Sequence, residues 1–206
     1  MVVGVSYGWS ASADDDDIIA ITQWPAVQSQ TECAAKVPTQ ISYEADDTGD
    51  SAHCWGYLIE PGAPRCAWMK LLLDKNSRVT PNDDPDLKND LNDFARSFPT
   101  GKDAQNVTVD FFKELYAFTM TNLKRDYPDK VIDLTPIKYW FTMPAIWSDE
   151  AQIRTLQAAK KGGFATRKGD EVFVIPEPEA AALATLTSHH LGYGDYIDVS
   201  KVSTSD

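Results

Sequence analysis

Short apolar runs separated by polar turns make up the start of the chain. Residues 1–6 and 17–24 are rich in apolar and β-branched side chains, and a run of small residues lies between them at 10–13. This pattern predicts short strands joined by turns, that is, a β-meander. The acidic run at 14–17 is predicted to be a solvated turn, because Asp side chains bond the nearby backbone; a metal site is the alternative.

The next two apolar runs predict a hairpin. Residues 37–43 and 53–59 are strand-like, and the polar stretch 44–51 separates them. Beyond them the run at 68–73 is short and apolar. Residues 74–93 are rich in Asp, Asn and Pro, which predicts a surface excursion.

A helical period appears near the middle of the chain. One face repeats at three- and four-residue steps through Val109, Phe112, Leu115, Tyr116, Thr119, Met120 and Leu123. We expect a long amphipathic helix over residues 108–127, with Thr108 as its cap and Pro128 as its stop.

In the second half, strand-like and helical segments alternate. Residues 137–143 and 171–175 predict strands, and residues 177–190 predict an Ala-rich helix. Another helix is predicted between Ser148, a capping residue, and the Lys-Lys-Gly-Gly sequence that ends at Gly163. Such alternation implies a sheet extended by parallel strands, with helices packed on it.

Size, charge and cysteine content limit the classes of protein. With 206 residues the chain can bury one core, and no run reaches the roughly 18 apolar residues of a membrane helix. The net charge of −12 repels phosphate backbones and anionic lipids, so neither nucleic acid nor membrane is an expected partner. The three cysteines lack paired spacing and the N-terminus lacks signal-peptide features, which together predict free thiols and a cytoplasmic location.

Four segments carry a resemblance to a known family. VVGVSYGWS at residues 2–10 combines an apolar strand with a Gly-containing loop, and WMKLLLD at 68–74 places a Lys in a Leu-rich run. FTMPA at 141–145 precedes a predicted helix that contains Gln152, and IPEPEAAA stands at 175–182. Together these segments resemble the first lobe of the ATPase domain of the 70-kilodalton heat-shock chaperones, especially the divergent, fungal branch of that family.

The resemblance implies an α/β fold: one lobe of the actin-like ATPase (ribonuclease H-like) class, whose mixed sheet begins as a β-meander and continues as α/β units. It divides the chain into a core subdomain, residues 1–36 and 131–191, and an inserted subdomain, residues 37–130. In the family, a second Gly-rich phosphate loop and a second lobe follow. The sequence ends at Asp206, before such a loop. Two interpretations are therefore open: a fragment of a two-lobe domain, and a protein that has one lobe.

The family's first phosphate loop corresponds by this resemblance to Ser6, Tyr7, Gly8, Trp9 and Ser10, which become the candidate cofactor-binding residues. The family has an Asp where Ser6 stands, and that Asp helps to organise the metal and its waters. Ser6 lacks the fixed negative charge on which Mg²⁺ relies, and the indole of Trp9 would crowd the phosphates. We expect no resident metal, no cofactor beyond weakly bound nucleotide, and no ATP hydrolysis.

Lys70 and Glu177 are the candidate catalytic residues that the resemblance supplies. In the family, a Lys at the first position reaches the terminal phosphate, and a carboxylate at the second positions water near the metal. Each residue also has a structural interpretation. Lys70 is interpreted equally well as a residue of a buried strand whose amine reaches solvent. Glu177 is interpreted equally well as a cap on the Ala-rich helix.

Two functions from different classes follow. The first is a chaperone-ATPase-like lobe that does not hydrolyse ATP and acts as a binding or interaction module. It would form a homodimer, or a complex with a partner protein, through the face that the second lobe covers in the family. The alternative is a lobe repurposed as an enzyme for a small organic ligand, for example a cyclase or isomerase of fungal secondary metabolism. That ligand would occupy the former nucleotide cleft, lined by Tyr7, Trp9, Lys70 and Glu177, with Trp24 nearby.

Overall fold

A computed structural model describes residues 2–8, 18–44, 52–67, 69–73 and 98–190, which form a mixed α/β structure. The strands are β1 (Val2–Val3), β2 (Ser6–Gly8), β3 (Ile18–Ala20), β4 (Gln23–Pro25), β5 (Thr31–Cys33), β6 (Val37–Pro38), β7 (Ile41–Glu44), β8 (Ala52–Trp55), β9 (Lys138–Met143) and β10 (Glu171–Pro176). The α-helices are α1 (Met69–Leu73), α2 (Ala104–Asp126), α3 (Asp129–Leu134), α4 (Asp149–Lys161) and α5 (Glu177–His190). Short 3₁₀ helices occupy Val27–Ser29 and Gly56–Leu58.

The strands pair two by two. β1 pairs with β6, β2 with β3, β4 with β5 and β7 with β8, all antiparallel, and β9 lies beside β10. The predicted hairpin is confirmed by β7 and β8, where Ile41 lies opposite Trp55 and Tyr43 opposite His53. Among the described residues these are separate two-stranded sheets rather than the single mixed sheet that the resemblance implies. The early strands are only two to four residues long, and Ile41 of β7 also forms an isolated antiparallel bridge with Cys66.

The central helix begins earlier than the apolar period predicts. α2 starts at Ala104, and its N-cap is Asp103, whose Oδ1 accepts a hydrogen bond from Asn106 N at 2.8 Å. The prediction of Thr108 as the cap is wrong. Thr108 is buried inside the helix, and its hydroxyl donates to the carbonyl oxygen of Ala104 at 2.7 Å. The predicted end is confirmed, because the helix finishes at Asp126, just before the proline.

The elements predicted for the second half are confirmed. β9 and β10 occupy the expected strand positions, and α5 covers the expected Ala-rich helix. Ser148 caps α4, since its Oγ accepts a hydrogen bond from Ala151 N at 3.2 Å. Acidic residues fill the first turn of α4 and two lysines fill the last, the charge order that the helix dipole favours.

The chain divides into two compact units. The first comprises Met1–Tyr139 and Trp147–Val172, and the second comprises Trp140–Ile146 and Phe173–Asp206. Within the first unit α2 is the central element, and aromatic side chains pack on two of its sides. The subdomain division that the resemblance implies stays a prediction.

One aromatic cluster joins α2 to the strands. The ring of the fully buried Trp24 lies 6.4 Å from that of Trp55 and 5.4 Å from that of Phe118, and Trp55 lies 5.9 Å from Phe111. Edge-on and tilted rings at these distances attract each other in addition to the apolar area they bury. The polar atom of the buried indole is satisfied, because Trp24 Nε1 donates to the carbonyl oxygen of Ala34 at 2.8 Å.

The second cluster joins α2 to α4 and β9. Phe164, which follows α4, lies edge-on to Phe112 at 5.9 Å and to Tyr139 at 5.2 Å between ring centres. Small residues on α4 allow a close approach: Ala158 is fully buried, and a Cβ added at Gly162 would lie 2.6 Å from Cβ of Phe112. The position of Gly162 therefore depends on the absence of a side chain.

The three cysteines, Cys33, Cys54 and Cys66, form no disulfide, in agreement with their spacing. Cys33 is exposed, whereas Cys66 is buried. In the part of the chain that the structure describes, no helix combines the length and the apolar character needed to cross a membrane.

Candidate functional site

The segment predicted as the first phosphate loop lies largely in a strand. Ser6, Tyr7 and Gly8 form β2, and Ser6 pairs with Ala20 in antiparallel register. Ser6 is exposed and offers a neutral hydroxyl where the family of the resemblance has a carboxylate, so a metal here would lack that fixed negative charge. Trp9 and Ser10, the other two predicted cofactor-binding residues, lie outside the described residues, as does the acidic run at 14–17.

Tyr7 ties β2 to the end of α2. Its hydroxyl donates a hydrogen bond to Asp126 Oδ2, and its ring lies edge-on to Tyr127 at 6.4 Å between ring centres. Burial and then the hydrogen bond to Asp126 raise the pKa of Tyr7 to about 12. Asp126 also accepts a hydrogen bond from Arg125 Nε at 3.0 Å, and this bond is the main reason why the pKa of the carboxyl is lowered. These contacts explain Tyr7 as an anchor of the strand.

The two predicted catalytic residues belong to different units. Lys70 lies on α1, so the interpretation that placed it on a buried strand is wrong: the run at 69–73 packs as a single helical turn. Met69 and Leu73, at either end of that helix, are buried. Glu177 is the exposed first residue of α5, in the second unit. A catalytic role for either residue stays a prediction.

Among the described residues, no three side chains of the types His, Cys, Asp and Glu come close enough together to hold a metal ion. The most concentrated polar cluster surrounds Asp110, which is buried in α2. Its Oδ2 accepts hydrogen bonds from Lys102 Nζ at 2.5 Å and from the Tyr43 hydroxyl at 2.9 Å, and its Oδ1 accepts one from Lys113 Nζ at 3.3 Å. The ring of Tyr43 in turn lies 4.9 Å from that of His53.

The protonation states of this cluster follow from burial and pairing. Burial alone would raise the pKa of the Asp110 carboxyl, but the hydrogen bonds from Lys102 and Tyr43 outweigh burial and leave the pKa lowered. Burial raises the pKa of Tyr43, and the neighbouring carboxylate raises it further. The cluster is therefore a neutral phenol and two lysine side chains around one carboxylate, and it joins the β7–β8 hairpin to α2. The carboxylate, the phenol and the two lysines satisfy one another, so we interpret these four groups as structural, whereas the buried Nδ1 of the neighbouring His53 has no hydrogen-bond partner among the described residues.

An open groove of about 780 Å³ lies in the first unit. It runs between the hairpin of residues 23–31 and the C-terminal half of α2, and we call it the hairpin groove. Trp24 and Phe118 supply apolar lining, while Asn122, Arg125 and Glu60 supply polar lining. The resemblance places Trp24 near the nucleotide cleft of the family; in the structure it lies at this groove.

The second unit presents exposed apolar side chains. Trp140 is 61% exposed on β9, although it stacks on Phe173 of β10 at 4.6 Å between ring centres and an interplanar angle of 20°. On α5, Leu183 and Leu186 are 52% and 44% exposed. Ile146, in the turn after β9, is 93% exposed. We call these residues the exposed apolar set.

The comparisons with known proteins supply no relative: neither the protein-family models nor the curated proteins nor the solved structures include a match to this chain. The resemblance to the chaperone ATPase lobe thus rests on the four sequence segments alone and stays a prediction.

Sequence patterns missed the groove and the Asp110 cluster, since both combine residues from distant segments. One sequence feature could have indicated them: Asp110 and Asn122 are polar, yet they lie on the buried side of α2, where the helical period predicts apolar side chains.

Proposed function

We propose that this chain is a protein-interaction module: a lobe related to the ATPase domain of the 70-kilodalton heat-shock chaperones that binds a partner polypeptide and does not hydrolyse ATP. The observation that carries the proposal is the exposed apolar set of the second unit, which includes Trp140 and Leu186. A Trp that leaves most of its surface in water is costly unless another molecule covers it.

Helix α5 supports the proposal by its composition. Residues 180–186, AAALATL, contain no charged side chain, yet all but Ala180 of this stretch are exposed. A helix that is apolar on every side is normally buried in a larger structure. Leu183 and Leu186 are three residues apart and so share one face of the helix, as in the anchors of helix-in-groove complexes.

Charge indicates the chemistry of the partner. Residues 140–146 and 173–190 contain Glu177 and Glu179 but no Lys or Arg. A partner that combines apolar side chains with flanking basic residues is therefore complementary. A second copy of this chain would bring the same net charge of −12, and the repulsion disfavours it as the occupant. The proposed partner is a different polypeptide, apolar in its contact residues and basic at their edge.

The absence of ATP hydrolysis is proposed from the donor chemistry at position 6. A neutral Ser6 hydroxyl replaces the carboxylate that the family places near the metal, and among the described residues no three His, Cys, Asp or Glu side chains come together to hold a metal ion. Phosphoryl transfer depends on metal ions that neutralise developing charge on the phosphates. The lobe would then keep the fold of the family and lack its ATP hydrolysis.

The test is a titration of the protein into two fluorescent peptides of equal length. The basic peptide is composed of leucine, phenylalanine and lysine, and the acidic peptide has glutamate in place of each lysine. We expect anisotropy to rise with the basic peptide alone. Trp140→Lys and Leu186→Lys should weaken that binding at least about tenfold, the effect expected for loss of an interface anchor.

The matched control is Ile153→Lys, because Ile153 on α4 is 53% exposed but lies in the first unit. This variant should bind the basic peptide like the parent. Equal binding of both peptides, or equal loss in all three variants, would contradict the proposal. Sedimentation velocity on the parent protein tests which molecule covers the exposed apolar set. A concentration-dependent dimer would show that a second copy of this chain covers it, and not a different polypeptide.

A further inference from the structure

The strands β9 and β10 run parallel to each other. Where they begin, Glu171 N donates a hydrogen bond to the carbonyl oxygen of Ile137 at 3.0 Å. Further along, the ring of Trp140 stacks on that of Phe173. Contacts that follow in the same order on both strands require the same direction. Parallel strands are normally covered on both faces, yet among the described residues this sheet has only two strands.

Strand β10 is the less covered of the two. Its residues 172–175, VFVI, are four apolar residues in a row, and all four are only half-buried. On β9, by contrast, Tyr139 and Met143 are buried. A continuous apolar run is typical of a strand with neighbours on both sides, and three strands are the usual minimum for a stable sheet. The side of β10 that faces away from β9 is therefore where cover is lacking, and we call it the β10 edge.

The hydrogen bonding of β10 determines which backbone groups the β10 edge presents. The N–H and C=O of one residue point to the same side of a strand, and successive residues alternate. Because Glu171 N bonds toward β9, the backbone groups of Phe173 and Ile175 also point toward β9. Those of Val174 point outward. Pro176, which lacks an N–H, falls on the outward side as well, and proline is tolerated in a strand at an edge of this kind.

The β10 edge has little protection against another strand. Natural edges are blocked by charged side chains, by prolines or by a covering element. Between Glu171 and Glu177 the strand contains no charged side chain, and its one proline stands at the end. Outward N–H and C=O groups beside apolar side chains match the backbone of another extended chain. A helix does not match them, because its own backbone groups are bonded internally.

We infer that the partner polypeptide binds in extended form and adds a third strand to this sheet at the β10 edge. Its backbone bonds the N–H and C=O of Val174, and its apolar side chains lie on the face of Trp140 and Phe173. Glu177 directly follows β10, so a basic side chain at that end of the added strand is complementary. The inference rests on the proposed function and specifies the conformation in which the partner binds.

N-methylated peptides test these main-chain bonds on the parent protein. The basic peptide is made with apolar residues and lysines in alternation, and one analogue carries N-methyl groups on the apolar residues, the other on the lysines. In a strand that pairs with β10, only one of these two sets of N–H groups points toward β10. By fluorescence anisotropy, one analogue should bind at least about tenfold more weakly than the unmethylated peptide, and the other about as well.

The outcomes separate this inference from the proposed function. Absence of binding by the unmethylated peptide would contradict both. Binding of that peptide together with equal affinities for the two analogues would overturn strand addition alone, since a helical peptide, or one held by its side chains only, does not distinguish the two sets of N–H groups.

Residue-resolved amide exchange by nuclear magnetic resonance locates the added strand. With the unmethylated peptide bound, exchange at Val174 should slow at least about tenfold, whereas Phe173 and Ile175, already bonded to β9, should change little. Protection at Thr142 on β9 in place of Val174 would overturn the inference. Val174→Pro removes the outward N–H and should weaken binding at least about tenfold more than Val174→Ala, which keeps it. The peptide analogues keep the test intact if Val174→Pro fails to fold.

Discussion

Trp140 stacks on Phe173 with ring centres 4.6 Å apart, and the pair leaves 61% of Trp140 in water. The stack fixes the orientation of the indole without covering it. A large aromatic side chain held in one orientation is suited to an interface, since little conformational entropy is lost when a partner covers it. The first prediction separates this role from a role in stability.

Trp140→Ala should lower the free energy of unfolding by about 1 kcal/mol, because the side chain buries little area and loses one aromatic stack. Trp24→Ala is the contrasting variant: Trp24 is fully buried, and its truncation should cost about 3–5 kcal/mol. Urea unfolding followed by circular dichroism measures both values. A loss at Trp140 as large as that at Trp24 would show that Trp140 belongs to the core rather than to an interface.

The Asp110 cluster should make stability depend on pH in the acid range. The pKa of Asp110 is lowered from its ordinary value of 3.8, so the folded protein favours the ionised form. Its contribution is complete above that value and is lost as pH falls through the lower pKa of the folded state. Asp110→Asn should cost about 2 kcal/mol at neutral pH, and this difference from the parent should shrink toward pH 2.

Unfolding in urea at a series of pH values checks this prediction. Asp129→Asn is the control, since the Asp129 side chain is 70% exposed and its curve should run parallel to that of the parent. A difference between parent and Asp110→Asn that stays constant down to pH 2 would show that the carboxylate charge contributes nothing.

Gly162→Ala tests the close approach of α2 and α4. The new methyl group would lie 2.6 Å from Cβ of Phe112 and 3.1 Å from its backbone carbonyl carbon, so one helix must shift, and overpacking of this kind costs about 1–3 kcal/mol. Gly62→Ala meets no atom within 4 Å and bears only the strain of its φ of +87°, about 1 kcal/mol. Thermal unfolding should show the larger loss for Gly162→Ala. The reverse order would contradict the described packing.

The protein should show no Mg²⁺-dependent ATP binding, because Ser6 supplies no charge for the metal. Ser6→Asp adds the carboxylate and should raise the affinity for ATP in Mg²⁺ over that in EDTA, whereas Ser6→Ala should not. Calorimetry with ATP in each buffer measures the difference. Micromolar, Mg²⁺-dependent binding by the parent would contradict the proposed loss of the nucleotide site.

Local patterns predicted the elements whose signals are contained in a few neighbouring residues. The cap at Ser148, the strand at β9 and the helix after Pro176 follow from side-chain preferences within single segments. The start of α2 was misplaced because Thr108 and Asp103 are both good caps, and only tertiary packing, which buries Thr108, selects Asp103.

The sites were harder to predict than the elements. Tyr43 and Asp110 are 67 residues apart in sequence yet bond directly, and no short pattern encodes that pairing. The same holds for the hairpin groove, where Trp24 and Arg125 come from segments separated by several other elements. A resemblance to a family supplied candidates at Ser6, Lys70 and Glu177, but it could not supply the contacts that these chemical roles need.

The exposed apolar set is the basis of the central proposal, and hydrogen–deuterium exchange on the parent protein tests it most directly. On addition of the peptide of leucine, phenylalanine and lysine, the account predicts slower amide exchange in residues 140–146 and 177–186, with no change across α4. Unchanged exchange in those two segments when the peptide is bound, or protection confined to the first unit, would contradict the claim that Trp140 and Leu186 form the binding surface.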